Sequence, residues 1–170
     1  MKARILVAAL SLSAAGLIGL VRHEGYTDRA VIPTKGDVPT LGFGSTTHPT
    51  GEAVRLSDTT DPVRALVAAG QHITAEETRF RGSLPGVALT QGEYDLYLDW
   101  LYNFGSGNWS KSSMRRHLLA GRYRDACDAL LLWRKQAGRD CSLPANWGPQ
   151  GCKGVWTRQQ TRHAQCVAEQ

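Results

Sequence analysis

Residues 5 to 21, ILVAALSLSAAGLIGLV, carry no charge, and three positions further on stands an acid, Glu24. No other stretch limits the possible folds so much. Lys2 and Arg4 place a short positive region ahead of it, the charge order that sends a chain into export. About 17 residues is the lower limit for a helix that spans a bilayer. Eight of these seventeen are Ala, Gly or Ser, so the segment is only weakly apolar. Three fates fit it: a signal peptide cleaved at a small-x-small site at Ser13 to Ala15, a permanent anchor, or an uncleaved segment able to leave the membrane. A buried helix of a cytoplasmic protein is the plain alternative.

Leu17, Val21 and Glu24 recur at i, i+4 and i+7, which is one helical face. The first helix is therefore predicted to cover the apolar segment and run to about His23, with Gly25 as its stop signal. Residues 26 to 50 lose this period. Pro33, Gly36, Pro39, Gly42 and Gly44 punctuate them, and TKGD reads as a turn between AVI and VPTLGF, so a β-hairpin or meander is predicted. Helical patterning returns near residue 60. Asp61 suits an N-cap and Pro62 a first helical position, and Gly70 is expected to split the helix. Thr90 and Glu93 stand at capping-box spacing ahead of Tyr94, Tyr97, Leu98 and Leu101. SSMRRHLLAG and YRDACDALLLWRKQAG read as helices ending at Gly121 and Gly138, and VWTRQQTRHAQCVAE as the last helix. The expected architecture is mainly α with one small β patch near the N-terminus. A chain of 170 residues suits a single domain.

A net charge of +5 and a pI near 9.2 favour an anionic partner. Nucleic acid, anionic lipid or an acidic polymer such as a bacterial wall would suit it, and a basic surface with no specific partner suits the charge equally; the chain has no Lys/Arg block of the kind found in nucleic-acid-binding tails. Cys127, Cys141, Cys152 and Cys166 form no CxxC pair, which points away from a zinc or redox site. Export makes disulfides plausible, and four cysteines allow three connectivities. Cys141 and Cys152 bracket the turn-rich loop SLPANWGPQG, so a local bridge is the natural pairing, leaving Cys127 and Cys166 to join two helices. Trp100, Trp133 and Trp156 fall in predicted helices and read as core. Trp109 and Trp147 fall in Gly/Asn/Ser-rich loops and are the better candidates for a binding cleft.

An acid at a helix end, near a hairpin with a carboxylate and a hydroxyl, makes a usable site. Partial burial raises the pKa of a glutamic acid and keeps it protonated. Such a group protonates a leaving oxygen while a second carboxylate handles water or developing positive charge. The hairpin offers Asp37 and Thr40, and Asp28 lies nearer in sequence. An Asp beside Gly in a turn is more often ordinary turn chemistry.

The segments HEGYTDRA, GDVPTLGFGST, LTQGEYDLYLDWLYNFGSGNW, CDALLLWRKQAG and KGVWTRQQTRHAQC resemble, in that order, the phage-type lysozymes, endolysins of glycoside hydrolase family 24. The resemblance covers nearly the whole chain after residue 15. It implies an α+β, mainly α, lysozyme-like two-lobed fold with a small N-terminal β-hairpin. It also implies cleavage of the β-1,4 bond between N-acetylmuramic acid and N-acetylglucosamine in peptidoglycan, by a monomer with no cofactor or metal. The family pattern is Glu, eight residues, Asp or Cys, five residues, Thr. Glu24 and Thr40 match its ends. The middle does not match: counting forward reaches Pro33, counting back reaches Thr34, and the Glu-to-Thr gap is one residue too long. Asp37 is the preferred substitute, with Asp28 behind it; a site without that carboxylate is the remaining option. Asn103 falls where the family has a cleft-facing polar residue, so substrate binding is expected there, with a helix-end hydrogen bond as the plain alternative.

The layout also resembles that of endolysins with a signal-arrest-release segment. On that reading residues 1–22 are an export and signal-anchor segment and residues 23–170 the catalytic domain. The enzyme would be exported to the host periplasm, tethered at first to the inner membrane, and activated when the segment leaves the bilayer. The missing aspartate motivates an alternative: a catalytically silent, membrane-tethered wall-binding protein on the same scaffold.

Overall fold

The computed structural model describes residues 2–33 and 36–170, without the side chains of His23 and Glu24. Along the chain run β1 (Ile5–Leu6), α1 (Ala14–Glu24), β2 (Thr27–Val31), β3 (Thr40–Gly42), α2 (Pro62–Gly82), β4 (Ala88–Leu89) and α3 (Gln91–Phe104). Then follow α4 (Ser106–Lys111), α5 (Ser113–Leu119), α6 (Tyr123–Ala129), β5 (Lys135–Gln136), β6 (Arg139–Asp140) and α7 (Lys153–Ala168). The fold is mainly helical with small antiparallel pairings, β1–β4, β2–β3 and β5–β6. Two compact units divide it: Met1–Ser11 with Arg79–Gln170, and Leu12–Thr78.

In the first unit, α3 is the central element. Its capping box is complete, with Thr90 Oγ1 accepting from the Glu93 amide and the Glu93 carboxylate accepting from the Thr90 amide. Tyr94, Leu96, Tyr97, Leu98, Trp100 and Leu101 are all buried, so the helix is wrapped on most of its sides. Phe80, Tyr94, Tyr97, Trp100, Phe104, Trp109 and Trp133 form a continuous aromatic cluster with ring centroids 4.7–5.9 Å apart. Each large apolar side chain fully buried there contributes about 1.5–3 kcal/mol. Disulfides join Cys127 on α6 to Cys166 on α7 and Cys141 to Cys152, the pairing that the loop spacing favoured.

The N-terminal residues are built into this unit. β1 pairs antiparallel with β4, Ile5 opposite Leu89 and Leu6 opposite Ala88. Val7 and Leu10 are buried. Arg4 donates to both carboxylate oxygens of Glu93, and Lys2 pairs with Glu169 at 2.5 Å.

In the second unit, Ser13 caps α1 by accepting from the Gly16 amide at 2.9 Å. β2 lies between β3 and residues 58–60, with Ala30 donating to the Asp58 carbonyl and Asp28 accepting from the Thr60 amide. Ala30, Leu41 and Val54 make a small core. Gly42 has φ 65°, and a β-carbon there would sit 2.7 Å from that of Ala65, so the hairpin closes on α2 only because this position is glycine. Asp61 caps α2, accepting from the Arg64 amide at 2.9 Å.

Three predicted helix boundaries are corrected. The first helix begins at Ala14, not at the start of the apolar segment, whose earlier part forms β1 and a 3-10 turn over Val7–Ala9. Residues 2–11 thus fall in one unit and 12–22 in the other. Among the described residues no helix is long and apolar enough to cross a membrane. Gly70 does not split α2, which runs unbroken for 21 residues. One helical glycine costs only about 1 kcal/mol relative to alanine. The helix expected to reach Gly138 stops at Ala129, with one 3-10 turn over Leu130–Leu132. Ala137 and Gly138 then adopt φ 48° and 78°, the left-handed pair that makes a tight hairpin turn between β5 and β6.

Candidate active site

Glu24 is the last residue of α1, and β2 starts three residues later, so the helix end and the hairpin are joined by a minimal connection. The side chain of Glu24 lies outside the described residues, as do Thr34 and Lys35. The hairpin is registered by Thr27 opposite Gly42 and Val31 opposite Thr40. Four steps along β2 face two along β3, so the ladder is irregular between those pairs. Thr40 opens β3, half-buried, and its hydroxyl donates to the Val31 carbonyl at 3.3 Å. That bond leaves the hydroxyl's lone pairs available as acceptors.

Asp37 lies in the loop between the strands, exposed, and accepts from the Val38 amide at 2.9 Å. Asp28 lies on β2 itself and is also exposed. Both carboxylates are therefore in contact with water and neither is bound to a cation among the described residues. At the open end of the hairpin, next to the Thr27–Gly42 pair, Tyr26 and Phe43 rest against each other with centroids 5.4 Å apart. Partial desolvation, helped by Asp28 and Asp61, raises the Tyr26 phenol above its ordinary range. Asp58 anchors the adjoining loop. It accepts from the Arg55 amide and from His48, both at 2.8 Å, and these bonds hold its carboxyl below the usual range.

Glu24, Asp37, Thr40 and Asp28 thus all belong to the second unit, on consecutive elements. Asn103 belongs to the first, on the last turn of α3. Its Nδ2 donates to the Asp99 carbonyl at 3.0 Å, and its Oδ1 accepts from Arg158. It also lines a cavity of about 390 Å³ together with Phe104, Lys135, Gln136, Arg158 and Arg162. Helix-end hydrogen bonding and cavity lining are both true of this residue. Arg158 and Lys135, which the sequence did not single out, also line this cavity; Arg158 and Arg162 stand at i, i+4 spacing on one face of α7.

The tryptophans sort differently from expectation. Trp109 is buried in the aromatic core, its indole N–H donating to Ser83 Oγ at 2.8 Å, because α4 forms where a loop was expected. Trp147 is partly exposed, donates to the Cys141 carbonyl at 2.9 Å and carries Lys153 over its ring at 4.9 Å.

The mainly helical fold with small antiparallel hairpins is a lysozyme fold, and the comparisons with known proteins place the chain in a family. The phage lysozyme family model matches residues 21–145. The endolysin of Salmonella phage P22 is 30% identical over 131 residues, which span 77% of this chain and 88% of that one. A crystal structure of a P22 lysozyme mutant superposes with a TM-score of 0.74 at 26% identity, covering 93% of this chain and 99% of that one. The SAR-endolysin of Enterobacteria phage H19B is 36% identical over 63 residues, 37% of this chain and 33% of its own length. The chain belongs to the phage lysozyme family. It is a muramidase-type glycoside hydrolase, and its activity is lysis of peptidoglycan.

Proposed function

We propose that the chain cleaves the β-1,4 bond between N-acetylmuramic acid and N-acetylglucosamine for host cell lysis, with Glu24 as the general acid. The observation that carries this reading is the direct joining of the α1 end to a hairpin that opens on Thr40, within a chain of the phage lysozyme family. Glu24 protonates the glycosidic oxygen as the bond breaks. Asp37 supplies the second carboxylate, and its exposure supports a role with water on the far face of the sugar. The Thr40 hydroxyl, oriented by its donation to Val31, accepts a hydrogen bond from that water. Asn103 contributes to substrate binding. The enzyme works as a monomer without a cofactor and does not bind nucleic acid. Loss of turbidity in chloroform-treated Gram-negative cells separates this reading from a silent wall-binding protein, which leaves the cells intact.

Residues 1–22 serve as an export and signal-anchor segment, so the enzyme reaches the host periplasm tethered to the inner membrane and then leaves the bilayer uncleaved. The name of the H19B relative supports tethering. The burial of Val7 and Leu10 and the pairing of Arg4 with Glu93 support an active form that keeps the segment, since cleavage after Ala15 would remove all three. Intact-mass measurement of the soluble active enzyme tests this. A mass that includes residues 2–15 is expected, and a mass lacking them refutes release.

A further inference from the structure

The cavity beside Asn103 holds more positive charge than its surroundings neutralise. Arg162, deeply buried, is matched by Asp99: its Nε and Nη2 donate to one carboxylate oxygen at 2.8 and 2.5 Å. Arg158, one turn earlier on α7, is held instead by the uncharged Oδ1 of Asn103. Asn103 is itself fixed to the backbone of α3. Lys135 stands exposed on β5. Among the described residues no acidic side chain lines the cavity. Two cations therefore face about 390 Å³ of space whose described lining holds no acidic side chain, one of them held in place by a neutral partner.

We propose that this cavity binds a free carboxylate of the peptide stem of the wall polymer, with Arg158 and Lys135 as its ligands. The inference rests on the peptidoglycan reading above. The chemistry of the polymer selects the group. The sugars are neutral, and in a stem-bearing unit the lactyl carboxylate of muramic acid is consumed in the amide link. The free anions are then the carboxylates of the stem. The volume suits at least one whole amino-acid residue and falls in the range of small-ligand pockets. A guanidinium pre-set by Asn103 meets a carboxylate with little loss of side-chain freedom. The aromatic face that a neutral sugar would stack on is scarce here, since Phe104 already stacks against Trp100 at 4.7 Å.

The test uses the full chain carrying Glu24→Gln, so that fragments persist, titrated calorimetrically with three glycan fragments of equal length. One bears stems with free carboxylates, one bears the same stems amidated, and one is naked glycan with its lactyl carboxylate. The free-stem fragment is expected to bind roughly tenfold more tightly than the amidated one, a charge-assisted contact, and the gap should narrow with added salt. Adding Arg158→Gln and Lys135→Gln together should erase the gap, while Arg158→Lys should keep most of it. A structural role for Arg158 would not give that rescue. Lys135→Gln alone, at an exposed site, should reduce the preference even if Arg158→Gln impairs folding. Equal binding of free and amidated stems, a preference that survives the double change, or naked glycan binding as tightly as free stems overturns the proposal. Wild-type enzyme that cleaves these fragments while binding them alike loses only the pocket assignment. Wild-type enzyme that releases no new muramic acid ends loses the bond assignment beneath it.

Discussion

Arg4 grips Glu93 with two hydrogen bonds, Nε to Oε2 at 3.0 Å and Nη2 to Oε1 at 2.8 Å. The Glu93 side chain is almost wholly buried and also accepts from the Thr90 amide and from Gln170, so an N-terminal cation neutralises the acid that caps α3. The hydrogen bond to Glu93, opposed by partial burial, raises the Arg4 pKa, which keeps the guanidinium charged at any working pH. Arg4→Gln should cost about 2–4 kcal/mol, since removing one partner strands a buried charge. Pairing it with Glu93→Gln should restore part of that loss. Denaturant unfolding of the four proteins of this cycle measures the coupling. An Arg4→Gln protein as stable as wild type would show that the N-terminal segment is held by its apolar contacts alone.

The two disulfides should differ in worth. Cys127 and Cys166 are 39 residues apart and Cys141 and Cys152 are 11 apart. In the chain-entropy model the wider loop contributes about 4 kcal/mol and the narrower about 3. Serine pairs replacing each bridge in turn, compared by thermal melting under non-reducing conditions, should rank in that order.

Acid should destabilise the fold in a defined window. The Arg55 amide and His48 hold Asp58 below its usual range. His163 does so for Asp128, and the Ser142 hydroxyl and amide for Asp140. A carboxyl whose pKa is lower folded than unfolded gives stability that is complete above the unfolded value, about 3.9 for Asp. That stability drains away as pH falls through the folded value. The melting temperature should therefore be insensitive to these groups above about pH 5 and decline below about pH 4. Asp140→Asn should lower stability at pH 6 and make the acid decline shallower. An unchanged acid limb in that variant would contradict the assignment.

Local signals in the sequence were sound where one residue decides the geometry. Thr90 with Glu93, and Asp61 with Pro62, open their helices as read, and Gly25 follows the end of α1. What escaped was decided at a distance or by backbone strain. Nothing in ILVAALSLS shows that Ile5 and Leu6 will find Ala88 and Leu89, more than 80 residues away. The run LLLWRKQ has helical composition, and only the left-handed Ala137–Gly138 turn makes it a hairpin. Glu24 and Thr40 were legible as candidate site residues from their neighbours, EG and PTLGFG. The second carboxylate was not, because the spacing departs from the family pattern within an eight-residue loop whose course the sequence does not dictate.

That carboxylate can be assigned by activity. Asp37→Asn should lower kcat by about tenfold or more, a smaller effect than loss of the general acid, with KM little changed. Asp28→Asn should leave kcat near wild type, because its strand is fixed on both sides by β3 and residues 58–60. The reverse ranking would move the role to Asp28.

The most direct measurement is the identity of the new reducing end formed from purified peptidoglycan, found by borohydride reduction and amino-sugar analysis, for wild type and Glu24→Gln side by side. Wild type should generate reduced N-acetylmuramic acid, and Glu24→Gln should do so at least ~100-fold more slowly, the usual contribution of a positioned general acid. New N-acetylglucosamine ends, or a Glu24→Gln enzyme as fast as wild type, would contradict the account.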